Sequence, residues 1–253
     1  MTVSKNPGSN SSSSSSTRPS KPVSKTTTAY LLLYNALSFA LWTTITVRLI
    51  SLLTLLTPTD NVAHIFDTLF PLLHFAQSLA LLEILHSAVG LVRASVVTTT
   101  LQVASRILVV WGVLYLFSVE RIGRQKGVVG AGNAAGANDV TKLGDWAFVG
   151  CVAAWGVTEC IRYGFFTLQF CGAAVPRWVI WLRYNTFFIL YPIGISSECC
   201  LIYKVITPAG DIHPALAWFF ISTLVIYVPG SYILYTHMMS QRRKVIRAAK
   251  QAD

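Results

Sequence analysis

Charge is scarce in this sequence. Charged residues make up 12% of the 253-residue chain, where a soluble domain averages about 25%. Acid is scarcest, with 10 Asp and Glu against 20 Lys and Arg. From Ile212 to Gln241 there is no charged residue at all. Metal-ligand spacing is also lacking. Cys151, Cys160, Cys171, Cys199 and Cys200 form no CxxC pair and no His/Cys cluster. No metal motif is therefore legible, and the cysteines read as small apolar packing residues. There is no GxGxxG, no Walker pattern and no internal repeat, which argues against a nucleotide phosphate cradle and against a solenoid.

What is present is apolar length. Hydrophobic residues make up 53% of the chain, and the mean hydropathy is +0.56. A span needs about 20 apolar residues, and six stretches supply them: 30–56, 65–85, 94–117, 145–168, 178–205 and 215–239. A bilayer leaves no backbone group solvated, so the spans are helical. The fold class expected is all-α, a polytopic membrane protein built as a six-transmembrane-helix bundle occupying residues 29–240.

Nine of the twenty Lys and Arg residues lie on the two tails. Lys5, Arg18, Lys21 and Lys25 precede the first span, and Arg242, Arg243, Lys244, Arg247 and Lys250 follow the last. That is the positive-inside pattern, with both termini cytosolic and an even number of spans. It points to a lipid bilayer rather than to nucleic acid as the partner of the charge. Residues 1–28, with six serines at 11–16, read as a disordered tail, and 241–253 as a basic cytosolic tail. The first apolar run is too long for a signal peptide and lacks a small-residue cleavage site. The Gly/Ala-rich loop 118–144 carries Arg121, Arg124, Lys126 and Lys142, which a six-span topology would put on the lumenal side.

Ionisable groups inside spans are functional candidates. The fifth stretch holds Arg183, Tyr191 and Glu198 in RYNTFFILYPIGISSE. Seven residues are nearly two helical turns, so Tyr191 and Glu198 share a face. Pro192 lies between them and predicts a kink; Gly194 would let backbone or ligand approach closely. A phenol and a carboxyl group can form a general acid/base pair. Gln102 and Arg106 share a face of the third span. Arg106 is too deep to snorkel and needs Glu83 or Glu159 as partner. Glu159 and Arg162, three apart, can pair with each other or across helices.

Two stretches resemble a tyrosine-phosphatase signature. His86 to Arg93, HSAVGLVR, has serine where that chemistry needs a thiolate, and Cys171 to Arg177 has only the bare spacing. Neither makes a convincing anion-binding loop.

Three segments carry a more specific resemblance: LLEILHSAVGLV with TLQVASRI, then WGVTECIRYGFF, then WLRYNTFFILYPIGISSE. In this order they resemble the 3-hydroxyacyl-CoA dehydratases of very-long-chain fatty acid elongation, a family once called protein-tyrosine-phosphatase-like. Ser87 and Arg93 stand where the family usually has cysteine and proline. The resemblance implies a six-span enzyme of the endoplasmic reticulum membrane that removes water from a (3R)-3-hydroxyacyl-CoA to give the trans-2-enoyl-CoA. It implies no metal or redox cofactor, since the substrate carries coenzyme A, and it suggests other elongation enzymes as partners. The family's catalytic tyrosine and glutamate fall on Tyr191 and Glu198. Arg183 is then expected to orient the thioester or the coenzyme A phosphates, or to pair with a carboxylate. Glu83, Gln102 and Arg106 are expected to support the pair. The competing expectation is a non-catalytic membrane scaffold or lipid-binding protein on the same bundle. There, Glu83, Arg106, Glu159, Arg162, Arg183 and Glu198 would all be interhelical ion pairs.

Overall fold

The computed structural model describes residues 24–55, 63–92, 94–117 and 145–252. The loop 118–144 and the serine-rich segment lie outside them. Among the described residues the chain is helical and contains no strand. The helices are α1 (Lys25–Leu55), α2 (Ala63–Leu79), α3 (Leu81–Ala88), α4 (Val96–Ile107), α5 (Trp146–Phe170), α6 (Arg177–Asn185), α7 (Phe187–Ile212) and α8 (Pro214–Ala252). The α4 helix continues through Leu108–Tyr115 as π-helical turns.

Among the described residues five stretches are long and apolar enough to cross a membrane: Lys25–Leu55, His64–Ala88, Val96–Tyr115, Phe187–Ile212 and Pro214–Arg247. Six were expected, and α5 is the one not among them. Its composition reflects its place. It packs most extensively on α1 and on α7, and both Glu159 and Tyr163 are buried in it. A helix walled by protein can carry charge that a lipid-facing helix cannot. The opposite extreme is α8. Only 6% of its most apolar 18 residues is buried inside the protein, and Val225, Ile226, Val228 and Ile233 stand exposed.

The core lies where α1, α2, α5, α7 and the π-helical turns converge. Ile45, Leu69, Leu73, Val113, Phe148 and Val205 are fully buried there. The α1–α5 contact is unusually close. Gly156, Cys160 and Gly164 repeat every four residues along α5, a small-residue seam that lets two helix backbones approach. A Cβ added at Gly156 would meet Thr46 Oγ1 at 2.5 Å, and one at Gly164 would meet Phe39 at 3.1 Å. Cys160 sits in this seam, 3.7 Å from the hydroxyls of Thr43 and Thr46. At the start of α5, Asp145 caps the helix by accepting from Ala147 N–H at 2.8 Å and forms a salt bridge with Lys204 of α7.

Several boundaries differ from expectation for local reasons. Helix α1 already runs from Lys25. The connection expected between the fifth and sixth stretches is reduced to His213, because α7 continues to Ile212 and Pro214 opens α8. His213 is extended, at φ −159° and ψ 131°, as a residue before proline must be, and proline suits the first helical position. Helix α8 carries on through the expected basic tail to Ala252. The break in the fifth stretch falls at Thr186, between α6 and α7, six residues before Pro192. Pro192 itself lies inside α7.

Candidate active site

Glu198 is 5% exposed and lies where α5, α7 and α8 meet. Trp155 of α5 donates its indole N–H to Oε1 at 2.8 Å. Tyr227 of α8 donates its hydroxyl to Oε2 at 3.0 Å. Both carboxylate oxygens are thus held by neutral donors, which fixes the plane of the group and leaves a further lone pair on each oxygen. Tyr191, two turns earlier on α7, also faces α8. Its hydroxyl donates to the Ser231 carbonyl at 2.9 Å, and its ring lies 5.9 Å from that of Tyr235. Tyr227 and Ser231 are four apart on α8, so the two α7 side chains are received by adjacent turns of one helix face. An open groove of about 310 Å³ runs alongside, lined by Tyr191, Pro192, Ile195, Ser231, Tyr232 and Tyr235.

A separate chain of ions centres on Glu159, which is buried, with partly buried Arg106, Arg162 and Glu83 around it. Arg106 forms a salt bridge with Glu159 Oε1. Arg162 donates to Glu159 Oε2 through Nε at 2.7 Å. The same guanidinium reaches both oxygens of Glu83, at 2.9 and 2.7 Å. Tyr163 donates to Glu83 Oε1 at 2.5 Å, and Tyr34 approaches the same oxygen at 3.5 Å. Two cations and two anions thereby join α3, α4 and α5. The link to Glu198 is indirect: the Arg106 guanidinium lies 5.7 Å from the centre of the Trp155 ring.

The remaining sequence candidates separate from this centre. Gln102 is exposed on α4. Arg183 turns toward α5, with its guanidinium 4.4 Å from the Phe165 ring and 4.8 Å from that of Phe166. Arg183 thus faces α5, whereas Tyr191 faces α8. Gly194 is buried against Ala154 of α5, where an added Cβ would meet an ordinary 3.5 Å contact. Among the described residues no three His, Cys, Asp or Glu side chains gather as a metal site would need.

Both phosphatase-like stretches end helices. Gly90 and Gly172 each have φ +73°. Leu91 N–H returns to His86 O at 2.9 Å, and Ala173 N–H returns to Leu168 O at 3.2 Å. These are helix C-terminal caps, with their amides turned inward. They present the negative end of the helix dipole, where phosphate is disfavoured. Ser87 is buried and donates to Ile84 O at 2.9 Å. Arg93 lies outside the described residues.

The family model described as "Protein tyrosine phosphatase-like protein, PTPLA" matches residues 77–248. The chain belongs to this family. A relative from Schizosaccharomyces pombe, named a probable very-long-chain (3R)-3-hydroxyacyl-CoA dehydratase, is 37% identical over 220 residues. That match covers 87% of this chain and 94% of the relative. The very-long-chain (3R)-3-hydroxyacyl-CoA dehydratase PASTICCINO 2 of Arabidopsis thaliana is 33% identical, with coverages of 88% and 95%. Very-long-chain (3R)-3-hydroxyacyl-CoA dehydratase 2 of Homo sapiens is 33% identical, with coverages of 87% and 81%. No solved structure matches the chain.

Trp155 and Tyr227 are the residues that sequence reasoning missed. Trp155 lies within WGVTECIRYGFF, four residues before Glu159. Tyr227 stands in a long apolar run with no polar neighbour to single it out.

Proposed function

We infer that this protein is a very-long-chain (3R)-3-hydroxyacyl-CoA dehydratase, a hydro-lyase. It converts its substrate to the trans-2-enoyl-CoA, the third step of fatty acid elongation. The single observation that carries the site assignment is the environment of Glu198. Glu83, Arg106, Glu159 and Arg162 form the ion pairs that a scaffold would need. The partners of Glu198 are instead two neutral donors, with a phenol beside an open groove two turns away.

Dehydration needs a base for the C2 proton and an acid for the departing 3-hydroxyl. The thioester acidifies C2 enough for a carboxylate to take its proton. Glu198 is assigned as that base. Tyr191 gives its phenolic proton to the hydroxyl, which leaves as water while the C2 electron pair closes the C2–C3 double bond. The proton on Glu198 then passes back to Tyr191 to reset the pair. Electrons stay within the substrate, so no redox carrier enters the balance. Trp155 and Tyr227 hold the carboxylate in one orientation throughout.

The topology follows from the same reading. Helix α5, 25 residues long, spans about 37 Å, and it is assigned as the sixth span, shielded by α1 and α7. The protein is placed in the endoplasmic reticulum membrane with both termini cytosolic, beside other elongation enzymes. The test is turnover of a long-chain (3R)-3-hydroxyacyl-CoA by purified protein in detergent, with trans-2-enoyl-CoA followed by mass spectrometry. The parent gives product, whereas folded Tyr191→Phe and Glu198→Gln variants give at most traces. Absence of product from a folded parent across chain lengths refutes the activity. Full turnover by both variants refutes the pair.

A further inference from the structure

We propose that the junction of α6 and α7 and the overhanging end of α8 form a phosphate-binding mouth, with Arg242 as its anchor, for the coenzyme A half of the substrate. The proposal rests on the dehydratase reading and adds to it the place where the charged half of the substrate sits.

Length is the first observation. Helix α8 has 39 residues, about 58 Å, against a hydrocarbon thickness of about 30 Å. Arg242 is the first charged residue after the uncharged run that ends at Gln241, so it stands where the helix leaves the apolar zone. It is not a loose tail residue. Its Nε and Nη2 both donate to Asn185 Oδ1, at 3.1 and 3.0 Å, and its guanidinium lies 5.2 Å from the centre of the Phe188 ring. Asn185 is held in turn by donating to the Trp181 carbonyl at 2.8 Å. The guanidinium is thus oriented by a neutral acceptor. Its charge is not cancelled there, and Nη1 remains directed elsewhere. Among the described residues no salt bridge joins Arg242, Arg243, Lys244 or Arg247. A fixed, uncompensated guanidinium among other cations suits a phosphate, which accepts paired charge-assisted hydrogen bonds.

Register is the second observation. Helices α7 and α8 run antiparallel, and their contacts form one continuous strip. Phe188 lies by Arg242, Tyr191 by Tyr235 and Ser231, and Glu198 by Tyr227. The open groove occupies the middle of this strip. From Ser231 to Arg242 is eleven residues of helix, about 16 Å. The pantetheine arm of coenzyme A joins phosphate to sulfur through about a dozen bonds, roughly 15 Å when extended at the advance per bond of a peptide chain. A phosphate at Arg242 therefore lets the thioester reach Tyr191, one α8 turn short of the Tyr227–Glu198 contact. A distance twice as great would have separated the two sites.

A phospholipid headgroup offers the same phosphate chemistry, so the test uses a substrate with the phosphates removed. Steady-state kinetics are measured for a long-chain 3-hydroxyacyl-CoA and for the matching 3-hydroxyacyl-pantetheine. The proteins are the parent, Arg242→Gln and Asn185→Ala, in detergent without added lipid. For the coenzyme A thioester, Arg242→Gln raises KM about tenfold with kcat within twofold, and Asn185→Ala raises it less. For the pantetheine thioester neither variant changes KM, and its unchanged kcat reports intact folding. Added salt raises KM for the coenzyme A thioester alone. An equal rise for both thioesters, or none for either, overturns the proposal and leaves Arg242 a structural or lipid-facing residue. If the parent turns over neither thioester, the dehydratase reading has failed. The mouth is then judged by calorimetric binding of coenzyme A itself: binding lost in Arg242→Gln upholds it, and no binding by the parent overturns it.

Discussion

Replacing Glu159 by glutamine is the sharpest test of what this ion chain does. Glu159 is 1% exposed. Arg106 binds one of its oxygens and Arg162 the other. A glutamine presents one acceptor oxygen and one NH₂ donor, so in either rotamer one guanidinium faces a donor. Arg162 keeps Glu83, but Arg106 loses the carboxylate that pairs with it. Removing one partner of a buried ion pair costs about 3–5 kcal/mol, and for a chain of this size each kcal/mol moves the midpoint by about 2–4 °C. The expected fall is therefore roughly 6–20 °C in a thermal scan of tryptophan fluorescence in detergent, with size exclusion as the check on aggregation. The double variant Arg106→Met with Glu159→Met removes one charge of each sign and leaves Arg162 with Glu83. Well-packed apolar replacements of a buried pair are often neutral, so most of the lost stability should return. A single variant melting within about 2 °C of the parent would refute the reasoning. So would a double variant less stable than the single one.

Two further outcomes concern the hydrogen bonds to Glu198 and the packing of two glycines. Trp155→Phe and Tyr227→Phe each remove one donor to Glu198 while keeping an aromatic ring. A hydrogen bond to a charged group is worth about 1.5–3 kcal/mol, so kcat is expected to fall by about tenfold or more in each. Unchanged kcat in both variants would mean the orientation of Glu198 is immaterial. Gly156→Ala and Gly194→Ala separate a helix contact from a ligand approach. The first meets Thr46 Oγ1 at 2.5 Å and should cost about 1–3 kcal/mol by overpacking. The second meets an ordinary contact and gains helix propensity of up to about 1 kcal/mol. Its melting temperature and turnover should match or exceed those of the parent, and lost turnover at full stability would mean that substrate approaches Gly194 after all.

Local spacing made part of the site legible, and tertiary contact decided the rest. Glu159 and Arg162 lie three apart on an unbroken helix, so their pairing followed from pitch. The depth of Arg106 in an apolar run demanded an acid, and Glu159 supplies it. Tyr191 and Glu198 share a face because α7 is continuous between them. Arg183 lies eight residues before Tyr191, a rotation of about 80° on a helix, and it settles on the rings of Phe165 and Phe166. The same extrapolation fails for Gln102, which shares a predicted face with Arg106 yet is exposed.

Hydropathy marks where a membrane ends, not where a helix does. The uncharged run stops at Gln241, but RRKVIRAAKQA contains no glycine or proline and consists largely of good helix formers. Helix α8 therefore runs on and carries Arg242 over Asn185. Trp155 and Tyr227 were hidden for a related reason. An aromatic residue in an apolar segment looks the same in sequence whether it faces lipid, core or a buried carboxylate, and only the meeting of α5, α7 and α8 gives these two a polar task. The α5 helix joins these points. One face carries the small-residue seam that lets α1 pack close. Another carries Glu159 and Arg162, and Trp155 reaches Glu198. Those ions depress its hydropathy below that of its neighbours, which is why α5 looks least like a span. They are also why it is the helix the others pack around, since a bilayer tolerates such charge only where protein surrounds it.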